Sequence, residues 1–396
     1  MKNVLYLSID GLLDPLGQSQ IFPYLNKLSE TNLSFFVCTI ENKKNKNKLE
    51  TFKKKIKNNP SFNWNYFFFL KRKGKFNRLK EIILLYFLAI KIIFSKKIDI
   101  LHSRSYLPMF FCILIKVFSK KKIIFDTRGS WFDERIDGGM LKKKGIDLFL
   151  FKFLKKIEFI FFYFSNHIVF LTDNGLQSVQ NSYIAGKKYS VIPCAADYNF
   201  FNIIEKKEKD QLKDELKFEE KHIITYSGSI GSWYNFDQIL DFFSKFNNIN
   251  PNSRLIILTQ SEINFTNLNL PLNLTGNITF MSSIRSEIPK IIGISDVTLC
   301  FINKSFSKKF SSPTKVAESL ACGVPVIYNE GIGDLNNDMK EMNSGFELNS
   351  ENFISLDCVQ SIKNLQINKD QIRNNSYKKY SLEYAIKKYI NIYKYL

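Results

Sequence analysis

The sequence holds only three histidines and six cysteines in 396 residues. Cys38, Cys112, Cys194, Cys300, Cys322 and Cys358 nowhere form the close CxxC pairs that a zinc site or a redox motif needs. A reducing, cytoplasmic setting is the expectation. No GxGxxG follows the first apolar run, which removes the nicotinamide fingerprint from its usual position. Long apolar runs are missing too: Ile82 to Phe94 is interrupted by Lys91, and Phe149 to Phe164 by Lys152, Lys155, Lys156 and Glu158. Both fall short of the roughly 20 apolar residues that span a bilayer, so they read as buried helices or as helices lying in a membrane interface. No small-residue cleavage site follows the strand-like Met1 to Ile9, and the N-terminus is expected to stay on the protein.

Acidic residues are scarce in one half only. Residues 1–195 carry 34 Lys+Arg against 14 Asp+Glu, residues 196–396 carry 23 of each, and the whole formal charge of +20 therefore lies in the first half. Such a field recruits polyanions, either nucleic acid or an anionic membrane surface. Low-GC drift toward Lys, Asn and Ile is the competing account, and the balanced second half speaks against it.

At roughly 150 residues per domain the length suits two domains or one large one. Short apolar runs at Val4 to Ile9, Leu33 to Ile40, Ile98 to Leu101 and Lys122 to Phe125 read as strands. Helical patterns at Gln20 to Leu28, Leu79 to Phe94 and Leu107 to Phe118 lie between them, and a further helix is predicted over Leu141 to Phe164. Strand-helix alternation predicts a doubly wound parallel sheet. After Pro193 the same grammar restarts with a strand at His222 to Tyr226 and helices near Phe236 to Phe246 and Pro313 to Ala321. The expectation is an α/β protein with two Rossmann-like domains, 1–195 and 196–378, and a C-terminal segment 379–396 centred on a helix at Leu382 to Tyr395.

In parallel sheets ligands bind beyond the carboxyl ends of the strands, so the loops there carry the chemistry. In the first, Asp10 to Gln20, Gly17 either lets backbone approach a phosphate or forms a mere turn. In the second, His102-Ser103-Arg104, the histidine has a pKa suited to proton transfer or is structural. In the third, Asp126-Thr127-Arg128-Gly129, the charged pair suits a polar ligand or neutralises itself. In the fourth, Ser227 to Ser232, the small residues Gly228, Ser229 and Gly231 allow close approach of a phosphate, or form a flexible turn. In the fifth, Phe310 to Val326, Ser312 suits an N-cap and Pro313 the first helical position, with Thr314 next. Lys315 in the first turn opposes the helix dipole, a penalty that a bound phosphate reverses. Glu318 lies on the same face and is suited to sugar hydroxyls, unless it simply pairs with Lys315.

The segment Ser312-Pro313-Thr314-Lys315-Val316-Ala317-Glu318 with Leu320 to Val326 resembles the donor-site helix of family 4 (group 1) glycosyltransferases. The opening Asp10 to Gln20 and the Phe125-Asp126-Thr127-Arg128-Gly129 element with Asp133-Glu134-Arg135 are similar to a subgroup found in bacterial surface-polysaccharide assembly. The resemblance implies the GT-B fold, with two domains facing each other across a cleft and the last helix crossing back to the first domain. It also implies retaining transfer from a nucleoside diphosphate sugar, without metal, the donor lying mainly on the C-terminal domain and the acceptor on the N-terminal one. By position, Glu318 is then the residue that contacts the donor ribose. Two departures stand out: the family's first Glu of that element falls at Phe310, and its diphosphate-holding Arg and Lys fall at about Ser229 and Trp233 or Tyr234.

The leaving diphosphate gains charge as the bond breaks, and fixed donors must meet it. Lys315, the amides of its helix and the Gly228 to Gly231 loop are the expected set; Asp126 or His102 is expected to face the cation-like anomeric carbon, with Arg128 positioning Asp126 or gripping an acceptor phosphate. A lipid-linked acceptor and an anionic membrane surface are the expected partners, since Phe62 to Lys73 and the Lys-flanked apolar helices mix aromatics with cations as interfacial segments do. The competing functions are a GT-B nucleotide-sugar 2-epimerase, a nucleic-acid-binding protein stacking bases on Trp64, Tyr66 and Phe67, and a non-catalytic partner subunit. No recognised nucleic-acid module accompanies those aromatics, and nucleic acid is not an expected partner.

Overall fold

A computed structural model describes residues 1–69, 75–219, 221–231, 233–259, 272–282, 284–348, 360 and 368–396. The chain divides into two compact units, one of Met1–Pro193 with Ala385–Leu396 and one of Cys194–Tyr384.

The N-terminal unit is built on strands β1 (Lys2–Leu7), β2 (Leu33–Glu41), β3 (Phe62–Phe68), β4 (Ile100–Arg104), β5 (Lys122–Asp126), β6 (His167–Phe170) and β7 (Tyr189–Val191). They form one parallel sheet in the order β3-β2-β1-β4-β5-β6-β7. Strand β2 is buried along its full length, because helices cover both faces of such a sheet. Those helices are α1 (Pro15–Gln20), α2 (Phe22–Ser29), α3 (Leu49–Ile56), α4 (Lys75–Ser95), α5 (Tyr106–Ser119), α6 (Trp131–Asp137), α7 (Gly145–Phe164) and α8 (Asp173–Tyr183).

Three differences from the sequence expectation have simple causes. The helix expected from Gln20 to Leu28 is α2, but the segment before it, read as a loop to Gln20, holds the short helix α1; each has a proline in its first turn, where the missing N–H costs nothing. The aromatic segment from Phe62, given no secondary structure by the sequence, is as far as Phe68 edge strand β3: Trp64 donates to Thr39 Oγ1 at 2.8 Å and stacks on Tyr66. The remainder of that segment, 70–73, lies outside the described residues. Finally, His102, Ser103 and Arg104 are not a loop but the end of the central strand β4, in register with Tyr6 on one side and with Ile124 to Asp126 on the other.

The second unit has α9 (Lys206–Glu215), β8 (His222–Ser227), α10 (Phe236–Ile249), β9 (Ser253–Leu258), β10 (Ile278–Met281), α11 (Ile288–Ile294), β11 (Val297–Cys300), α12 (Thr314–Ala321), β12 (Val326–Asn329), α13 (Leu335–Met342), β13 (Gly345–Leu348) and α14 (Lys369–Tyr380). Its parallel sheet runs β10-β9-β8-β11-β12-β13. Helix α15 (Leu382–Tyr395) starts here and, from Ala385, belongs to the N-terminal unit. In each sheet the strand order reverses once, at β1/β4 and at β8/β11, and these switch points are where doubly wound folds open a crevice.

Candidate functional site

In the second unit the chain leaves β8 at Ser227 and turns through Gly228 and Gly231, both with positive φ. The first of these makes room for a charge. A Cβ on Gly228 would lie 2.7 Å from Lys315 Nζ and 3.1 Å from the Tyr226 hydroxyl. Tyr226 in turn donates to the Ser229 carbonyl at 2.6 Å and so fixes the loop. Ser232 lies outside the described residues.

Lys315 enters this space from α12. Part of its stem reaches the surface, but Nζ is sealed from solvent and has no hydrogen-bond acceptor among the described residues. It lies 4.2 Å from the ring centroid of Tyr226 and 4.0 Å from that of Tyr234, and these two rings are the electron-rich groups it rests against. Burial pulls its pKa down to about 8, with Cys300 and Glu318 opposing. The ammonium is therefore still charged at neutral pH, buried, and without a hydrogen-bond acceptor or a carboxylate in ion-pair range among the described residues, although Glu318 one turn on acts on it at longer range.

One turn on, Glu318 is 8% exposed. Burial pushes its carboxyl up to about 7, against the pull of Arg285 and Lys315. Arg285 Nη1 is 3.6 Å from Glu318 Oε1, and its guanidinium rests over Phe200 and Phe201. The helix start differs from expectation: Pro313 occupies the N-cap with no side-chain cap, and Thr314 is the first helical residue. Ser312 is one residue too early to cap; its Oγ accepts from the Cys194 N–H at 3.1 Å instead. The leading amides of α12 are thus uncapped by a side chain, and such amides have no partner within their own helix.

Two further residues escaped the sequence. Lys308, 4% exposed, holds its Nζ 3.8 Å over the ring of Trp233. Trp233 and Tyr234, which stand where a diphosphate-holding cation was expected, are thus the rings against which Lys308 and Lys315 rest. Phe310, in place of the expected Glu, is buried against Phe306. Nothing local in the sequence marked Lys308 or Arg285, since each acts on a partner more than thirty residues away.

In the N-terminal unit, His102, Arg104, Asp126 and Arg128 gather at the ends of β4 and β5. Arg104 Nη1 and Arg128 Nη1 lie 3.9 and 3.8 Å from the Asp126 carboxylate, and His102 Nε2 lies 3.8 Å away. Arg104 also has Asp10 at 3.7 Å, and Arg128 Nη2 reaches Gln20 Oε1 at 3.5 Å. Helix α15 closes over them: the Tyr389 hydroxyl donates to Asp126 Oδ2 at 3.1 Å, and the Tyr393 hydroxyl shares a hydrogen bond with His102 Nδ1 at 2.5 Å. Burial raises the Asp126 pKa, but Arg128, His102 and Arg104 outweigh it and hold the carboxyl below its usual range. His102 is pushed down by burial, with Asp126 opposing, and is a neutral imidazole at neutral pH. The cavity bounded by Tyr6, Gln20, His102, Asp126, Arg128 and Tyr389 has about 10 Å³, room for one water and no sugar.

Gly17 sits inside α1, where a Cβ would lie 2.0 Å from the Gly11 carbonyl oxygen and 2.7 Å from Leu12 Cα. The loop it packs on is pinned by Glu41, which accepts from the Leu12 and Leu13 N–H groups at 2.7 and 3.0 Å. These amides are taken by the protein's own carboxylate. Gly17→Ala is expected to lower stability by roughly 1–3 kcal/mol, because backbone cannot yield to the methyl. The same change in an open helix gains about 1 kcal/mol, so the sign of the shift in thermal unfolding decides between the two.

Residues 207–354 match the model of the family described as Glycosyl transferases group 1. No curated protein matches the chain. Its fold is similar to that of the Anabaena protein HepE in complex with UDP and glucose (13% identity, 100% of each chain, TM-score 0.69). It is similar also to a glycosyltransferase from Rickettsia africae (16% identity, 99% and 98% of the two chains, TM-score 0.69). WaaG, a glycosyltransferase involved in lipopolysaccharide biosynthesis, has the same fold (12% identity, 98% and 99%, TM-score 0.65). At these identities the likeness shows the fold: two parallel-sheet α/β domains of the GT-B type.

Proposed function

We propose that this protein is a retaining glycosyltransferase that moves a sugar from a nucleoside diphosphate donor to a lipid-linked glycan in cell-surface polysaccharide synthesis. The observation that carries the reading is the buried Lys315 ammonium, held between two rings with no hydrogen-bond or ion-pair partner among the described residues. A diphosphate is the ligand that such a charge, an uncapped helix start and a glycine-bearing turn suit together. As the glycosidic bond breaks, negative charge grows on the leaving diphosphate, and Lys315 with the α12 amides stabilises it without a resident metal. Glu318 in its ionised form accepts from the ribose hydroxyls. Asp126 or His102 was expected at the reacting carbon, with Arg128 positioning Asp126 or gripping an acceptor phosphate. Their commitments to Tyr389, Tyr393 and one another support instead a positioning role, in which they fix α15 on its unit.

The two charged residues set opposite pH limbs. Glu318 must be ionised, so donor affinity rises as pH climbs through about 7; Lys315 must be protonated, so it falls as pH climbs through about 8. The expected kcat/KM profile for donor is a narrow bell between these values. In Glu318→Gln the acid limb disappears, and in Lys315→Met the alkaline limb disappears. A wild-type profile that stays flat from about pH 6 to about pH 9 removes both residues from donor binding.

The deciding experiment incubates the protein with a panel of nucleotide sugars and measures thermal stabilisation and nucleoside diphosphate release, with and without lipid-linked acceptor. Stabilisation by one donor, with acceptor-dependent release lost in Glu318→Ala, supports transfer. Release as free sugar epimer without acceptor points to an epimerase. No stabilisation by any donor moves the reading to a non-catalytic partner, for which the buried Phe310 in place of a carboxylate is the motivating observation.

A further inference from the structure

We propose that the outward faces of α4, α5 and α7 form a docking face for an anionic lipid surface. The three helices lie side by side: Tyr86 of α4 stacks on Phe111 of α5 at 5.1 Å, and Phe110 of α5 meets Phe161 of α7 edge-on at 4.7 Å. Their inner sides supply core. Their outer sides leave Phe87 62%, Phe94 87%, Val117 61%, Phe118 86%, Phe149 75% and Phe153 52% exposed. The spacing of Phe87 to Phe94 and of Phe149 to Phe153, seven and four residues, puts each pair on one helix face. Scattered exposed apolar residues are ordinary; a sheet of aromatics across three adjacent helices is not.

Charge identifies the occupant. Among the described residues of these helices the acids are turned inward or used locally. Glu81 is 3% and Glu158 1% exposed, and Asp147 accepts from the Lys142 N–H at 2.9 Å. The cations point outward: Lys91, Lys152 and Lys156 are exposed among the aromatics, and Lys96, Lys97, Lys120 and Lys142 to Lys144 are exposed or rim the helix ends. A protein partner with a mixed-charge surface would not call for this separation, and a second copy of the chain would set lysines against lysines across a two-fold interface. A leaflet with anionic headgroups over an acyl layer satisfies both the lysines and the rings. Among the described residues no helix is long and apolar enough to cross a membrane, so the helices lie on the surface. The face does not rest on the transferase reading, and its test needs no donor.

The test floats the full chain with phosphatidylcholine vesicles carrying about 30% phosphatidylglycerol, or none, at ionic strengths of about 0.15 M and 1 M. Binding is expected to the anionic vesicles only, and to weaken at high salt. The combined variant Phe94→Ser, Phe118→Ser, Phe149→Ser is expected to lower partitioning at least about tenfold with its thermal unfolding little changed, since these three are the most exposed of the rings. Lys91→Gln with Lys152→Gln and Lys156→Gln, which leaves every apolar residue in place, is expected to lower it likewise. Absence of binding to anionic vesicles overturns the proposal. Binding that both variants leave unchanged overturns it too, as does a concentration-dependent dimer that the serine variant dissolves. Donor-induced stabilisation, measured in parallel, fails or succeeds independently.

Discussion

Lys315→Met is expected to lower turnover by roughly 100- to 1000-fold while leaving the protein at least as stable as before. Removing one donor aimed at a developing oxyanion in a dry site has an effect of that size. Stability moves the other way because of what burial does to the amine. Depressing its pKa to about 8 corresponds to roughly 3 kcal/mol of unfavourable charge at neutral pH. The two tyrosine rings return roughly 1–2 kcal/mol of that as cation–π attraction. An apolar side chain of similar length keeps the ring contacts and loses the charge, so a gain of about 1 kcal/mol is expected in thermal unfolding near pH 7. The sign is checked by raising the pH: the penalty is fully present below about 8, shrinks as pH rises from there, and is gone above the ordinary lysine pKa of about 10.4, where both states are neutral, so the two proteins converge in alkali. Activity lost with stability held or raised is the signature of a charge kept for a ligand. Turnover unchanged in the variant removes Lys315 from the chemistry.

The alternation of apolar runs and helical patterns made the two parallel units legible, because period and spacing survive in a single sequence. The donor-side element was legible too: Ser312 to Val326 combines a proline at a helix start, a cation where the dipole disfavours it, and a glycine at the end. What was not legible depends on register. Three polar residues in a row, His102 to Arg104, look like a loop until Tyr6 and Asp126 are placed beside them in the sheet. The alternation of Phe62, Trp64, Tyr66 and Phe68 with Asn63 and Asn65 was hidden by its aromatic content, which reads equally as an interfacial segment. Lys308 over Trp233 and Arg285 beside Glu318 join loops far apart in the chain, and no local pattern encodes such pairs. The same holds for the contact of Tyr389 with Asp126, 263 residues away.

That last contact underlies the second large effect. Asp126→Ala is expected to destabilise the N-terminal unit by roughly 3–5 kcal/mol, because it leaves the guanidinium groups of Arg104 and Arg128 buried without their shared carboxylate. For a unit of this size that corresponds to a fall of roughly 6 to 20 °C in its unfolding transition. Tyr389→Phe, which removes only the hydroxyl donating to Asp126, should lose about 1 kcal/mol. The carboxyl is held below its ordinary pKa, so its contribution is present above about pH 4. It is lost as the pH falls through the lower, folded-state value, and the difference between wild type and Asp126→Ala narrows in acid. Donor binding separates the two roles this residue was offered. If Asp126 positions α15, the alanine variant, assayed well below its lowered transition, still gains thermal stability from donor, and turnover falls in step with the loss of the folded N-terminal unit. If Asp126 faces the reacting carbon, turnover collapses at temperatures where the variant is fully folded, and Tyr389→Phe, which keeps the carboxylate, stays active.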